Sequence, residues 1–256
     1  MGLFDKKYCD VCGEKIGLLG NRKLENGNLC KSCARKLSPW FSDRRSSTVD
    51  EIKEQLAYRE ENRGKVAAFH TTRTLGSGTK VLLDEDAGLF MVTGARDLNE
   101  ANPDVLAFSD VTGCNLDIDE KRSELMREDK DGKKVSYNPP RYEYSYDFYI
   151  TIFVNNPYFD EIRFRVNSSS VTITPPPAAR PGAPVRLNPE SNVEYRGCKK
   201  LGEEIKQALT QVRRDVREQI ELAAAPKTAV ICPLCGATTT PDASGCCEYC
   251  GGAVNA

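Results

Sequence analysis

The sequence predicts an α+β chain in three parts: a small cysteine-rich ribbon, a central antiparallel β domain followed by a long helix, and a second cysteine-rich ribbon. Three observations carry this reading. Eight of the 11 cysteines form four C-x-x-C pairs, two near each end. Between them, alternating runs punctuated by glycine read as about seven strands. An apolar stripe of helical period then occupies the stretch before the last two pairs.

The pairs are Cys9/Cys12 with Cys30/Cys33, and Cys232/Cys235 with Cys247/Cys250. Zinc takes about four thiolates tetrahedrally at roughly 2.3 Å, so two such pairs close its shell and leave no position for a substrate. Two structural zinc ions are therefore expected. Disulfides would need an export route, and MGLFDKKYCD holds no apolar signal segment before Cys9. Ribbons this small cannot bury enough core to fold without a metal.

In Cys12-Gly13, Cys235-Gly236 and Cys250-Gly251, a glycine follows the second cysteine. A tight turn that aims amides at sulfur needs positive φ there, so these three pairs read as knuckles. Cys33 is instead followed by Ala34-Arg35-Lys36-Leu37, which places Cys30/Cys33 at a helix start. Asn26-Gly27 between them signals a two-residue hairpin. Knuckle, hairpin and helix in that order make residues 1–45 a treble clef. At the other end, CPLCG-ATTTPDASG-CCEYCGG over residues 226–256 suits a rubredoxin-like ribbon, where Cys246 competes with Cys247 as ligand and iron is the alternative metal. Cys114 and Cys198 stand alone in apolar contexts and read as packed thiols.

After the first ribbon, LSPWFSDRRSS holds Trp40 and Phe41, which read as packing the ribbon onto its surroundings; the functional alternative is a partner hot spot. Thr48 or Ser47 can cap a linker helix within residues 46–64, TVDEIKEQLAYREENR, that Gly64 ends. Strands follow from Lys65 onward: KVAAFHTTRTL, the Gly76-Ser77-Gly78 turn, TKVLLDED, AGLFMVTGA, and one or two more in DVLAFSDVTGCNLDID. Tyr142 to Val154 then alternates with even positions inward, and the pattern predicts cover on both faces towards its end. DEIRFRVNSSS points Ile162, Phe164 and Val166 inward. Residues 119–141 are charged and apolar-poor, which predicts a mobile insertion. Asp129-x-Asp131-Gly132 within it reads as a turn and not a calcium loop, since Pro140 stands where the closing Glu belongs. Residues 171–190 read as a proline-rich linker.

The long helix, residues 191–225, carries Leu201, Ile205, Ala208, Leu209, Val212, Val216 and Ile220 at spacings of three and four, and Pro226 stops it. Its first half can close a β-barrel, and its last turns are free to reach a second subunit, making a homo-oligomer, or the final ribbon. Strands in a barrel or sandwich followed by such a helix give residues 65–225 the element order of a pleckstrin-homology-like domain, a fold that binds peptides or lipid headgroups. Order alone does not decide function.

The formal net charge is −1, but residues 1–45 hold ten Lys/Arg against five Asp/Glu while residues 46–190 hold 18 against 24. Two units of that basic excess disappear when four thiolates bind one zinc ion, leaving a weak field beside a dedicated nucleic-acid binder. No stretch approaches the roughly 20 apolar residues of a transmembrane helix. Met1-Gly2 opens like a myristoylation site, yet Lys6 stands where Ser or Thr is needed. A cytoplasmic location is expected.

The opening YCDVCGEKIGLLGNRKLENGNLCKSCARKLSPWF resembles the N-terminal treble-clef zinc-ribbon domain of an uncharacterised bacterial family, common among Firmicutes and described as a domain of unknown function. Cys9, Cys12, Cys30, Cys33, the Gly-Leu-Leu-Gly run 17–20 and the Leu-Ser-Pro-Trp-Phe run carry the likeness over about the first 45 residues. The body and last ribbon are more loosely similar to longer members with a pleckstrin-like middle. The resemblance implies zinc at those four cysteines, and it carries no established activity over.

An enzyme reading would need the single histidine, His70, paired with Cys114 or Cys198, and no motif orients such a pair. The expected function is a non-catalytic zinc-binding adaptor that docks a protein partner or a lipid headgroup. The alternative is nucleic-acid binding through Lys23, Lys31, Arg35 and Lys36 of the first ribbon.

Overall fold

The computed structural model describes residues 6–176, 187–224, 229–240 and 245–254, with side chains of the last helix described as far as Gln211. Two units divide the chain, Met1–Arg214 and Asp215–Ala256.

In the first unit, β1 (Lys7–Tyr8) pairs antiparallel with β2 (Lys15–Ile16), and β3 (Arg22–Lys23) pairs antiparallel with β4 (Asn28–Leu29); α1 (Lys31–Ala34) follows. Ile16, Leu24, Leu29, Leu37 and three cysteines form a small core with Ile52. The hairpin expected at Asn26-Gly27 forms one residue earlier. Leu24 N–H donates to Gly27 C=O, so Glu25 and Asn26 are the corners. Gly27 is needed for close approach: a Cβ there would sit 2.5 Å from Val49 Cγ2 and 2.8 Å from Asp10 Oδ2.

A capping box between Thr48 and Glu51 starts α2 (Val49–Ala68). The helix does not stop at Gly64, and Lys65–Ala68 are helical where a strand was expected. The reason lies in its buried face, which runs Ile52, Gln55, Arg59, Asn62 and Val66 at spacings of three and four. Gly64 is on the exposed side. Its cost of about 1 kcal/mol in a helix is smaller than the loss of the last buried turn.

The first sheet is a meander of β5 (Arg73–Leu75), β6 (Lys80–Asp84), β7 (Leu89–Thr93) and β8 (Val105–Ala107), with α3 (Leu98–Ala101) before the last strand. Both faces are covered. Val81, Leu83, Phe90, Val92 and Leu106 enter the main core, while Leu82, Met91 and Val105 cluster with Val66 of α2. Continuous runs such as Val81-Leu82-Leu83 follow from that two-sided burial.

The second sheet centres on β10 (Lys134–Val154). It pairs with β9 (Val111–Glu128) along one edge, and with β11 (Glu161–Arg165) and β12 (Val171–Ile173) along the other. Residues 119–141 are therefore mostly a two-stranded ribbon closed by an Asp129–Lys133 turn, not a loose insertion. Charged side chains misled the loop reading, since the ladder is made by backbone. Cross-strand contacts such as Arg122 over the Tyr142 ring, 4.4 Å from its centroid, add to it. Asp129 turns as expected, accepting from the amides of Asp131 and Lys133. Tyr146, Phe148, Ile150, Ile152 and Val154 are buried on the even face, as are Ile162, Phe164 and Val166. The other face of β10 is not covered to its end: Phe153 is 36% exposed.

Among the described residues, the eight strands of the middle region form no closed barrel. Their two sheets share one core with Tyr195, Ile205, Ala208 and Leu209 of α4 (Val193–Ala224). Tyr195 meets Tyr146 and Phe148 edge-on at 5.0 and 5.1 Å. Trp40 packs against this core and Phe41 against that of the ribbon. The expected Val212, Val216 and Ile220 side chains lie outside the described residues, as do 177–186 of the proline-rich segment, Ala225, Pro226 and Met1-Gly2.

A buried polar junction ties the ribbon to the body. Arg59 donates to Asp104 Oδ1 at 2.6 Å, to Asn102 C=O and to Lys36 C=O at 3.2 Å, while Ser38 Oγ donates to Asp104 Oδ2 at 2.8 Å. Asn62 donates to Asn102 Oδ1 and Pro103 C=O, and accepts from Val105 N–H.

The second unit holds β13 (Val230–Ile231) paired with β14 (Thr238–Thr239), and a Cys246–Ala253 bridge. Cys232, Cys247 and Val254 form its small core.

Candidate metal centres

All eight C-x-x-C sulfurs gather into two groups. Cys9, Cys12, Cys30 and Cys33 form one and Cys232, Cys235, Cys247 and Cys250 the other, with the sulfurs of each within 4.8 Å of one another. Cys12–Cys30, Cys232–Cys250 and Cys235–Cys247 each stand 3.7 Å apart. A disulfide would require about 2.05 Å. Four sulfurs around an ion with bonds of roughly 2.3 Å have tetrahedral edges of about 3.8 Å, so each group could hold one metal ion. An all-sulfur set excludes hard cations such as calcium and magnesium, and fits zinc or iron.

Three pairs share one backbone design. Cys9, Cys232 and Cys247 each donate their N–H five residues on, to Glu14, Ala237 and Gly252 C=O. Their own carbonyls accept from Gly13, Gly236 and Gly251. Those glycines have φ of 74°, 73° and 68°, the left-handed turn the sequence called for. The fourth pair is built differently, again as expected. Cys30 is the N-cap of α1, its sulfur accepts from Cys33 N–H at 3.3 Å, and Cys9 sulfur accepts from Cys30 N–H at 3.3 Å.

These amides separate the thiols electrostatically. Burial pushes Cys9 up, yet the amides of Cys12, Cys30 and Val11 outweigh it and hold its pKa at about 7. Burial, then its Cys30 and Cys12 neighbours, push Cys33 up. In the second group burial works against Cys247 too, but the Tyr249 and Cys250 amides bring it to about 6. The Gly252 amide pulls Cys250 down, and hydrogen bonds with Cys235 and Cys232 overcome it, to about 12. Crowded sulfurs divide into anionic and protonated partners in this way; a dication removes the conflict by neutralising two charges.

Cys247, and not Cys246, joins the second group; Cys246 pairs with Ala253 through backbone. Cys114 lies in the main core and burial pushes its thiol up to about 11, while Cys198 packs against the same core. His70 is exposed, and its backbone N–H donates to Asp84. Lys23, Lys31, Arg35 and Lys36 are exposed on the first ribbon. Sequence reading missed the polar junction and the exposed Leu18-Leu19 pair; the latter was visible as two leucines inside a glycine-bounded turn.

The geometry defines a chain with two four-cysteine groups, each able to hold a metal ion. Residues 7–55 match the family model DUF4428, a domain of unknown function. That span ends in α2 just past Ile52, the last fully buried residue of the ribbon's core, with Leu56 packing against it one turn on. No curated protein and no solved structure matches the chain. Among the described residues, no helix is long and apolar enough to cross a membrane.

Proposed function

We propose that the protein is a non-catalytic adaptor that holds two structural zinc ions, with Cys9, Cys12, Cys30 and Cys33 as one ligand set and Cys232, Cys235, Cys247 and Cys250 as the other. The observation that carries it is the pair of closed four-sulfur groups, whose edges of 3.7 Å suit tetrahedral zinc. Four protein ligands leave no position for a substrate, so the metal serves folding and presentation. The remaining thiols support a non-catalytic role, since Cys114 is buried with a raised pKa and His70 is exposed.

We read the first ribbon as a treble clef, on its knuckle, hairpin and helix order, and the second as rubredoxin-like, on its paired knuckles. The meander, the second sheet and α4 around one core support a pleckstrin-homology-like middle that takes a protein segment or lipid headgroup. Reduced thiols suit a cytoplasmic setting. The test is metal analysis of the purified chain: about two tightly held zinc ions are expected, and a chain that folds with none overturns the reading. A second reading, nucleic-acid binding, draws on the exposure of Lys23, Lys31, Arg35 and Lys36. Salt-sensitive duplex binding abolished by Arg35→Glu with Lys36→Glu would favour it.

A further inference from the structure

Gly17 to Gly20 is a hydrogen-bonded turn, with Gly20 N–H donating to Gly17 C=O. Its two corners are Leu18 and Leu19, 87% and 89% exposed. Turn corners ordinarily carry Gly, Asn, Asp, Ser or Pro, and two adjacent leucines break that chemistry with no packing in return. Tyr8, on the neighbouring strand and opposite Lys15, is 53% exposed.

Cations surround this apolar tip. Lys7 pairs with Ile16 and Lys15 precedes it, so both sit at the base of the turn; Arg22 and Lys23 leave it on β3. Arg44 is held beside them, donating to Lys23 C=O at 2.7 Å. Burial first, then the charges of Arg45 and Arg22, lower its pKa, which places three guanidinium groups in one field. None of these cations enters an ion pair among the described residues. Of the nearby carboxylates, Asp10 accepts from Asn28 N–H at 2.6 Å, and Asn28 pairs with Lys23, so this acid is occupied by a backbone amide beside β3. Glu14, Glu25 and Asp43 are the remaining acids of the ribbon between residues 6 and 45, and Asp43 accepts from Ser42 Oγ at 3.2 Å.

We propose that the Gly17–Gly20 turn, with its basic collar, is a docking tip for the surface of an anionic lipid bilayer. A convex pair of leucines offers a protein partner little enclosed area but can enter the boundary between headgroups and acyl chains. The amphipathic Tyr8 and the collar are then at headgroup level, where basic residues meet anionic lipid. This rests on the adaptor reading and supplies its partner: the first ribbon presents the tip, and zinc fixes the strands on either side of it.

The test is sedimentation of the zinc-loaded full chain with vesicles of phosphatidylcholine alone, or with about a third phosphatidylglycerol. Binding should be at least about tenfold stronger to the anionic vesicles and should weaken as salt is raised. Leu18→Ser with Leu19→Ser should lower it about tenfold or more, with circular dichroism and metal content unchanged, because these side chains bury almost nothing in the fold. Lys7→Glu with Lys15→Glu should remove the preference for anionic lipid. Wild-type binding by the leucine variant, equal binding to neutral vesicles, or no binding by the wild type would each overturn the inference. A chain that holds two zinc ions and ignores vesicles leaves the adaptor reading standing, whereas one that folds without zinc removes that reading whatever the vesicles show.

Discussion

Asp104→Ala tests whether the ribbon is held to the body by the buried pair. The Asp104 side chain is fully buried and that of Arg59 is 6% exposed, so removing the carboxylate strands a guanidinium group away from water. Breaking a buried pair from one side costs about 3–5 kcal/mol, and the acceptor lost by Ser38 Oγ adds about 1 kcal/mol. With an m-value near the upper end for urea, the midpoint should fall by about 1–2 M. Trp40 is the only tryptophan; its backbone N–H donates to Ser38 Oγ at 3.2 Å and its side chain packs against the main core, so its fluorescence reports from beside the junction. Arg59→Met with Asp104→Leu should cost no more than either single change, because neither charge is then stranded. Additive costs in this cycle, with coupling under about 0.5 kcal/mol, would refute the pairing.

At the second centre, Cys247→Ser should lower zinc occupancy from about two ions to about one, while Cys246→Ser should leave it unchanged; metal analysis of both decides the ligand, and the reverse result would move it to Cys246. Gly27→Ala should destabilise the ribbon by about 1–3 kcal/mol in thermal melts, since its Cβ meets Val49 and Asp10. Acidification should release metal from both centres as protons compete for thiolates, read by a chromogenic chelator, and occupancy that does not change with pH would argue against thiolate ligation. Phe148→Ala, at the shared core of the two sheets and α4, should cost about 3–5 kcal/mol in urea titrations.

The metal centres were legible in the sequence because their chemistry is local. A C-x-x-C pair followed by glycine states its turn, its φ and its ligand atoms within five residues. The core of β10 was legible for a similar reason, since period two persists from Tyr146 to Val154. Two elements were not. α2 buries Gln55, Arg59 and Asn62 on one face, and a search for apolar spacing sees only Ile52 and Val66 on that stripe. Its partners, Asn102 to Val105 and Lys36, lie outside the helix and mostly far along the chain. The outer half of the β9–β10 ribbon failed for the opposite reason: its strands are held by main-chain bonds and cross-strand pairs, which composition does not record.

The polar junction gives the first centre a consequence beyond its own ribbon. Cys30 and Cys33 start α1, and the chain leaving that helix presents Lys36 C=O to Arg59 and Ser38 Oγ to Asp104. An apolar seam would let the ribbon slide, but this one demands a fixed geometry, because a displaced partner leaves a buried charge unmatched. Losing the metal that the first group is proposed to hold would free the Cys30–Cys33 turn and so disturb one acceptor, Lys36 C=O, and one donor, Ser38 Oγ, of the junction at once. Metal loss at the first centre should therefore be felt at Trp40 and α2, and not only within the ribbon. The Gly17–Gly20 turn proposed as a docking element then works on a platform whose orientation the body sets.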